Sequence, residues 1–491
     1  MMRQERDPLG VRNVPSDAYY GIQTLRAMEN FPVSGIREPP GMIAAYAVIK
    51  KAAALTNMEA GVLDPQRGNA IVAAAEEIIA GNYADQFLVD VYQAGAGTSF
   101  NMNVNEVIAN RALEILGRSR GDYAFLSPND HVNLGQSSND TFPTASHIAI
   151  IREAQFLDTI LAGLAAALEK KGDAFALLPK SGRTHLMDAI PVTLGDEFYA
   201  YSDAVVRAAE RIRERRDGLL EVAIGGTATG NGANAPAGYR EKVIGSLRSL
   251  TGLEIVPARN SFEALQSLSQ MGAFSSSLKE FSLELIRIAN DLRLMNSGPL
   301  SGLGEISLPP VQPGSSIMPG KFNPVMAECA DMIAFQVIGN DTAVTMAVQA
   351  GQLELNVMAP LIVHNILSSI SLLTRYLPVF TVQCVDGIAA NEERLLANAG
   401  TNPVLATLLT PRIGYLKAAE IAHESRVKRR AVRDLAVEKG ILTKDEADTL
   451  FDLPAIAGNR YRRNRKPQIQ RNDGALTAGP VTVEHDTEFQ E

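Results

Sequence analysis

A chain of 491 residues with 46% hydrophobic and 21% charged side chains has an ordinary globular composition and enough apolar material for a large core. Its net charge of −9 argues against a nucleic-acid or membrane-surface role, so an anionic ligand would need a local positive site. No run approaches the roughly 18 apolar residues of a membrane-spanning helix, and Met-Met-Arg-Gln-Glu-Arg-Asp lacks the apolar core of a secretory signal.

Cys329 and Cys384 both fall in helical patterns and read as reduced core thiols, which predicts a cytoplasmic protein. The histidines show no metal-ligand spacing, and no dinucleotide fingerprint follows a strand pattern, so neither a metal nor another cofactor is expected.

In chain order, Arg6 to Gly35 is turn-rich, punctuated by Pro8, Pro15 and Pro32. Helical patterns follow over 41–60 and over an alanine-rich stretch, 68–80, ended by Gly81. Gly95 to Asn103 (Gly-Ala-Gly-Thr-Ser-Phe-Asn-Met-Asn) leads into a helix predicted near 104–116, with Thr98, Ser99 or Asn101 as its cap. Helix starts also attract carboxylates.

Ser137, Ser138 and Asn139 stand at the entrance of a long helix predicted over 142–174, with Pro143 in its first turn. One cap uses one such residue, so three point to a ligand. Thr184 and His185 lie in a loop before a helix over 192–222. A lone loop histidine reads first as a surface residue, although its pKa suits proton transfer. Gly225 to Asn234 invites a phosphate-loop reading, which the lack of a following Gly-Lys-Ser/Thr rejects.

The longest pattern covers 260–297, with Asn260 and Glu263 as a capping box and Gly298-Pro299 as its stop. Leu278, Phe281, Leu285, Ile288, Leu292 and Met295 form its apolar stripe. At ~1.5 Å per residue such a helix approaches ~60 Å. Helices over 324–350 and 359–396 follow, with bends expected at Gly339 and Pro378. Helices of this length exceed the span of a compact monomer core and predict a bundle continued across subunits. Shorter helices occupy 397–455. From 458 the chain is Arg-, Asn- and Gly-rich, then acidic, and reads as disordered.

Between two long helical patterns sits Pro313-Gly-Ser-Ser-Ile-Met-Pro-Gly-Lys-Phe-Asn-Pro324, too rich in proline and glycine for a regular helix. On chemistry alone it is either a polar surface loop or, since rigid helices flank two hydroxyls, an ammonium and a carboxamide, a place where a small anion is handled.

Gly-Ser-Ser-Ile-Met-Pro-Gly-Lys-x-Asn-Pro resembles the signature loop of the aspartase/fumarase superfamily of lyases, and the resemblance extends over about residues 4–457. It implies a mainly α, three-domain lyase: a mixed, mostly helical domain (1–140), a central long-helix bundle (141–396) that forms a shared core in a homotetramer, and a small helical domain (397–457). It implies removal of a proton next to a carboxylate and loss of the group on the neighbouring carbon. L-Aspartate giving fumarate and ammonia is the preferred reaction, and malate dehydration the alternative.

By the same resemblance Ser315 is the base, acting as an alkoxide, and Glu328 partners His185. Thr98, Ser137, Ser138 and Ser316 meet one substrate carboxylate; Lys321, Asn323 and Thr184 meet the other; Asn139 and His185 hold the leaving amino group. Sites are shared between subunits. Asn231 and Ala233 replace the family's usual Thr and Leu, Ser138 and Thr141 follow the fumarase wording, and Asn402 to Pro411 departs from the usual Ser-Ile-Gly-containing wording.

Overall fold

In the computed structural model, residues 1–458 are described, so the expectation of a disordered tail falls, but for Gly458, outside the described residues. Strands β1 (Met2–Asp7) and β2 (Gly10–Pro15) form a hairpin, followed by α1 (Ile22–Asn30). Prolines in the first turn, where no amide hydrogen is needed, open α2 (Pro40–Glu59) and α3 (Pro65–Ile79), and Asp64 caps the latter by accepting the Arg67 N–H.

Helix α4 spans Thr98–Ile115 and so starts six residues before the predicted 104; its N-cap is Gly97, not Thr98, Ser99 or Asn101. Asn101, Asn103 and Asn105 disguise its first turns, since asparagine disfavours helix interiors. Tertiary contacts override that preference: all three are buried, and Asn103 spans from the Leu88 N–H (3.1 Å) to the Gln86 carbonyl (3.0 Å). Helix α5 (Ser138–Ala174) is capped by Ser137 and carries Pro143 near its start.

The loop after α5 is a hairpin that the sequence did not announce, β3 (Pro179–Thr184) with β4 (Met187–Thr193), leading into α6 (Leu194–Asp217). Helix α7 spans Tyr239–Thr251. The predicted 260–297 helix is two: α8 (Ser261–Gln266), capped by Asn260, and α9 (Ser269–Met295), separated by Leu268 at φ 51°. At ~1.5 Å per residue α9 is ~40 Å long, not ~60 Å. No breaker in the sequence marks the interruption. Residues 351–356 impose it by packing on the end of α8, where the Asn356 N–H reaches the Leu265 carbonyl and Gln266 Nε2 the Leu353 carbonyl, each at 2.9 Å.

Helices α10 (Val325–Val348) and α11 (Ala359–Gln383) run uninterrupted through Gly339 and Pro378. The predicted 359–396 helix stops at Gln383, because Ala389–Ala390 pairs as a short strand with Ile306–Ser307 before α12 (Glu392–Gly400) begins. Such pairing is set by residues far apart in sequence. The expected stripe of α9 is buried in full, against α10.

The chain divides into two compact units, Met1–Phe175 with Glu197–Asn398, and Ala176–Asp196 with the chain from Ala399. In the first, the α5–α11–α10–α9 bundle has a readable polarity. Lys171 near the end of α5 donates to Ile388 just past α11 (3.0 Å), while the Ala96 N–H near the start of α5 meets the Val357 carbonyl before α11 (2.9 Å), so α5 and α11 run parallel. Tyr376 late in α11 donates to Met326 early in α10 (2.5 Å), and Asn356 before α11 donates to Ala347 late in α10 (3.0 Å), so α10 runs antiparallel to both.

The second unit contains β3 and β4 with α13 (Thr410–Ile413), α14 (Tyr415–Lys428), α15 (Val432–Glu438), α16 (Lys444–Leu450) and α17 (Leu453–Ala457) around a core that includes Leu409, Ile421, Leu435 and Phe451. Buried Asn402 joins the parts: its Nδ2 donates to the Ala189 carbonyl (2.8 Å) and Ser181 (3.2 Å), and its Oδ1 accepts from the Val404 N–H (2.8 Å). The unusual wording from Asn402 thus has a structural task. Among the described residues no helix is long and apolar enough to cross a membrane.

Candidate active site

Two helix starts meet where Gly97 presses on Phe142. Gly97 is left-handed (φ 68°), and a Cβ there would stand 1.9 Å from the Phe142 ring, so only glycine permits the approach. The approach brings Thr98 of α4 to Ser138 of α5, with hydroxyl oxygens 3.0 Å apart. Gly97→Ala is therefore expected to destabilise the fold by more than about 2 kcal/mol and to abolish activity. Gly117→Ala, equally left-handed (φ 71°) but with open space around it, should cost only about 1 kcal/mol. Thermal unfolding of the two variants measures the difference, and equal costs would refute the packing argument.

Of the three polar residues before α5, Ser137 is the cap: its Oγ accepts the Asn139 N–H (3.2 Å), and Asp140 returns the bond to the Ser137 N–H (3.0 Å). The cap uses Ser137 Oγ only as an acceptor, so its O–H, with Ser138 and Asn139, is left for other work. Ser138 faces Thr98, and Asn139 Nδ2 donates to the Ala228 carbonyl (2.8 Å), which places the Gly-rich 225–234 loop beside this cluster.

Asp140, passed over in the sequence, anchors that loop. Its Oδ2 accepts the N–H groups of Gly225 (3.0 Å) and Thr227 (2.9 Å), and burial pushes its pKa up to about 7. The signal was available, as an acid three residues after a capping serine. Asn231 and Ala233 lie farther along, exposed and bonded to each other (3.0 Å). Thr141, the fumarase-like substitution, is fully buried and holds Tyr46 (2.8 Å) and the Ser137 carbonyl (2.7 Å); its task is structural.

The 313–324 loop is pinched at Gly314, where a Cβ would fall 2.2 Å from the Lys321 carbonyl oxygen. Asn323 closes it, Nδ2 donating to the Gly314 carbonyl (2.6 Å) and Oδ1 accepting from Lys321 Nζ (2.7 Å). Inside this frame Ser315 Oγ accepts two backbone N–H groups, from Ile317 (3.3 Å) and Met318 (3.0 Å). Such donors stabilise negative charge on an oxygen. Ser316 is exposed on the same loop, and Glu328 lies in the first turn of α10.

The structure joins Thr98 to Ser137–Asn139 but keeps the Ser315–Asn323 loop apart. That loop precedes α10, whose far end leads into 351–357, against Gly95 and Ala96. The 24 residues of α10 separate the two clusters by ~35 Å within one chain. In the other unit, Thr184 and His185 occupy the tip of the β3–β4 hairpin, exposed beside Leu186 and Met187. His185 (φ 57°) and Leu186 (φ 59°) are both left-handed, as a two-residue type I′ turn requires. Side chains other than Asn and Gly are strained there, and such strain gathers at functional sites.

The model of the lyase family matches residues 10–339, and that of the fumarase C C-terminus matches 405–457. Aspartate ammonia-lyase of Bacillus subtilis (strain 168) is 48% identical over 93% of this chain and 97% of its own length. A class II fumarate hydratase of Thermosynechococcus vestitus is 45% identical over 93% and 98%. Among solved structures, fumarate lyase:delta crystallin from Brucella melitensis bound to cobalt superposes with a TM-score of 0.91 at 48% identity, covering 93% of this chain and 100% of that one. Class II fumarase from Schistosoma mansoni gives 0.89 at 36% identity, over 94% and 100%. Matched along almost all of its length, the chain belongs to the aspartase/fumarase superfamily of lyases.

Proposed function

We propose that this enzyme is a carbon–nitrogen lyase that converts L-aspartate to fumarate and ammonia reversibly. The observation that carries the reading is the Ser315 oxygen, held by two amide hydrogens in a loop that also presents Lys321 and Asn323. The Cβ proton of aspartate is weakly acidic because the adjacent carboxylate is already charged. Ser315, as an alkoxide, takes that proton; the electron pair enters an aci-carboxylate, then forms the double bond as the carbon–nitrogen bond breaks and ammonia leaves.

Neutral donors suit the doubly charged intermediate, because they meet developing charge without carrying any of their own. Thr98, Ser137, Ser138 and Ser316 take this part. Lys321, Asn323 and Thr184 hold the other carboxylate, and Asn139 and His185 receive the amino group, with Glu328 as the partner of His185. The Ile317 and Met318 amides stabilise the alkoxide, while the Lys321 ammonium rests on Asn323.

The working unit in this reading is a homotetramer with sites assembled from several chains. Its support is the separation of the clusters and an exposed apolar face on α10, where Met332, Phe335 and Met346 are each more than half exposed. The thiols of Cys329 and Cys384 are free, and burial pushes Cys384 up to about 12, in keeping with a reducing, cytoplasmic setting.

Fumarate absorbance, followed from L-aspartate and from malate separately, tests the reading. The expected kcat/KM for aspartate is well above that for malate; ready conversion of malate with aspartate untouched would establish a fumarate hydratase instead.

A further inference from the structure

Beneath the helix starts that carry Thr98 and Ser137–Asn139 lies an ammonium group with no part in the reaction as described. Lys50 of α2 is fully enclosed, at 0% exposure. Its Nζ donates to Asn101 Oδ1 (2.9 Å), Asn133 Oδ1 (3.0 Å) and Gln136 Oε1 (3.0 Å). All three acceptors are neutral amides, and among the described residues no carboxylate pairs with the lysine at ion-pair distance. A buried, unpaired charge opposes folding, so its presence asks for another reason.

Each acceptor adjoins the site. Asn101 lies one turn after Thr98, Gln136 immediately precedes Ser137, and Asn133 Nδ2 donates to the Gln136 carbonyl (3.3 Å). An ammonium can only donate, so it turns every one of these amides oxygen-inward. Tyr46, one turn before Lys50, completes the link: its hydroxyl lies 3.2 Å from Asn101 Oδ1 and 2.8 Å from Thr141 Oγ1, which in turn donates to the Ser137 carbonyl.

We propose that Lys50 is a positioning residue and a buried counter-charge for the substrate carboxylate held at Thr98, Ser137 and Ser138. The inference rests on the site proposed above. The direct donors there are neutral, and the protonated lysine behind them, screened little in the interior, supplies the attraction they lack. That attraction grows as the aci-carboxylate gains its second charge.

The titratable groups facing Lys50 are Asp140 of α5, whose carboxylate influences it through space, and Tyr46 of α2, whose ring lies 5.5 Å from the ammonium. Burial lowers Lys50 to about 7, raises Asp140 to about 7 and raises Tyr46 far above its ordinary value. An anion arriving above the helix starts favours the charged lysine and raises its pKa. Close to neutrality, binding therefore draws a proton onto Lys50.

Fumarate, the product of either elimination, serves as the probe. Unbuffered wild-type enzyme mixed with fumarate at about pH 7.5 should take up a fraction of a proton per chain, read by titration at constant pH. Lys50→Met should bind fumarate at least about tenfold more weakly and lose most of that uptake. A merely structural role would lower thermal stability but leave fumarate affinity and proton uptake of the folded enzyme unchanged. Should Lys50→Met not fold, Lys50→Gln, which keeps a donor without the charge, carries the same comparison. A folded Lys50 variant that binds fumarate as tightly as wild type overturns the proposal, as does a wild-type enzyme that takes up no proton between about pH 6.5 and 8.5. Failure to turn over aspartate would defeat the ammonia-lyase reading and leave this test standing.

Discussion

Ser315→Ala is expected to lower kcat by about a thousandfold or more, because the variant retains binding but has no group to accept the Cβ proton. Stability should hardly change. The serine lies on a partly exposed loop, its hydroxyl accepts only the N–H groups of Ile317 and Met318, and water can replace it at both. Substitutions of this kind stay within about 0.5 kcal/mol. The loop itself is held by Gly314, Lys321 and Asn323, none of which bonds to Ser315. Steady-state kinetics beside thermal unfolding reads both arms. A variant that keeps a tenth of the wild-type rate removes Ser315 from the role of base; one that unfolds early shows that the hydroxyl is structural.

The second large effect is recovery of activity from two inactive parents. Ser315→Ala and His185→Ala, each without turnover alone, should complement when mixed, unfolded and refolded together. The physical reason is the polarity of the bundle. Helix α10 holds the Ser315 loop at one end and the segment against Gly95 and Ala96 at the other, so one chain's serine stands ~35 Å from its own Thr98. If a site takes serine and histidine from different chains, random mixing makes each of the two wild type with a probability of about one half, giving about a quarter of the sites intact. Recovery near that level, against wild type refolded in parallel, is the expected result. Hybrids as inactive as their parents, while the wild-type control regains activity, would exclude sharing of these two residues between chains.

By itself the sequence determined what depends on neighbours within a few positions. Pro40, Pro65 and the Asp64 cap set where α2 and α3 begin, and Ser137 with Asp140 sets the start of α5, although reading by apolar spacing begins α3 and α5 late, at 68 and 142. The three- and four-residue spacing from Leu278 to Met295 gave the buried face of α9. The Gly314–Asn323 loop was legible because its prolines and glycines forbid a helix and its polar groups suit an anion. Tertiary structure decided whatever rests on contacts between distant residues. The break at Leu268 comes from residues 351–356, and the end of α11 from the pairing of Ala389–Ala390 with Ile306–Ser307. The early start of α4 comes from asparagines whose amides find partners elsewhere in the fold. The hairpin that lifts His185 to its tip was hidden because His-Leu is an unusual pair for a left-handed turn. The meeting of Thr98 with Ser138 depends on the missing side chain of one glycine against Phe142, 45 residues farther on, a contact that no local pattern encodes.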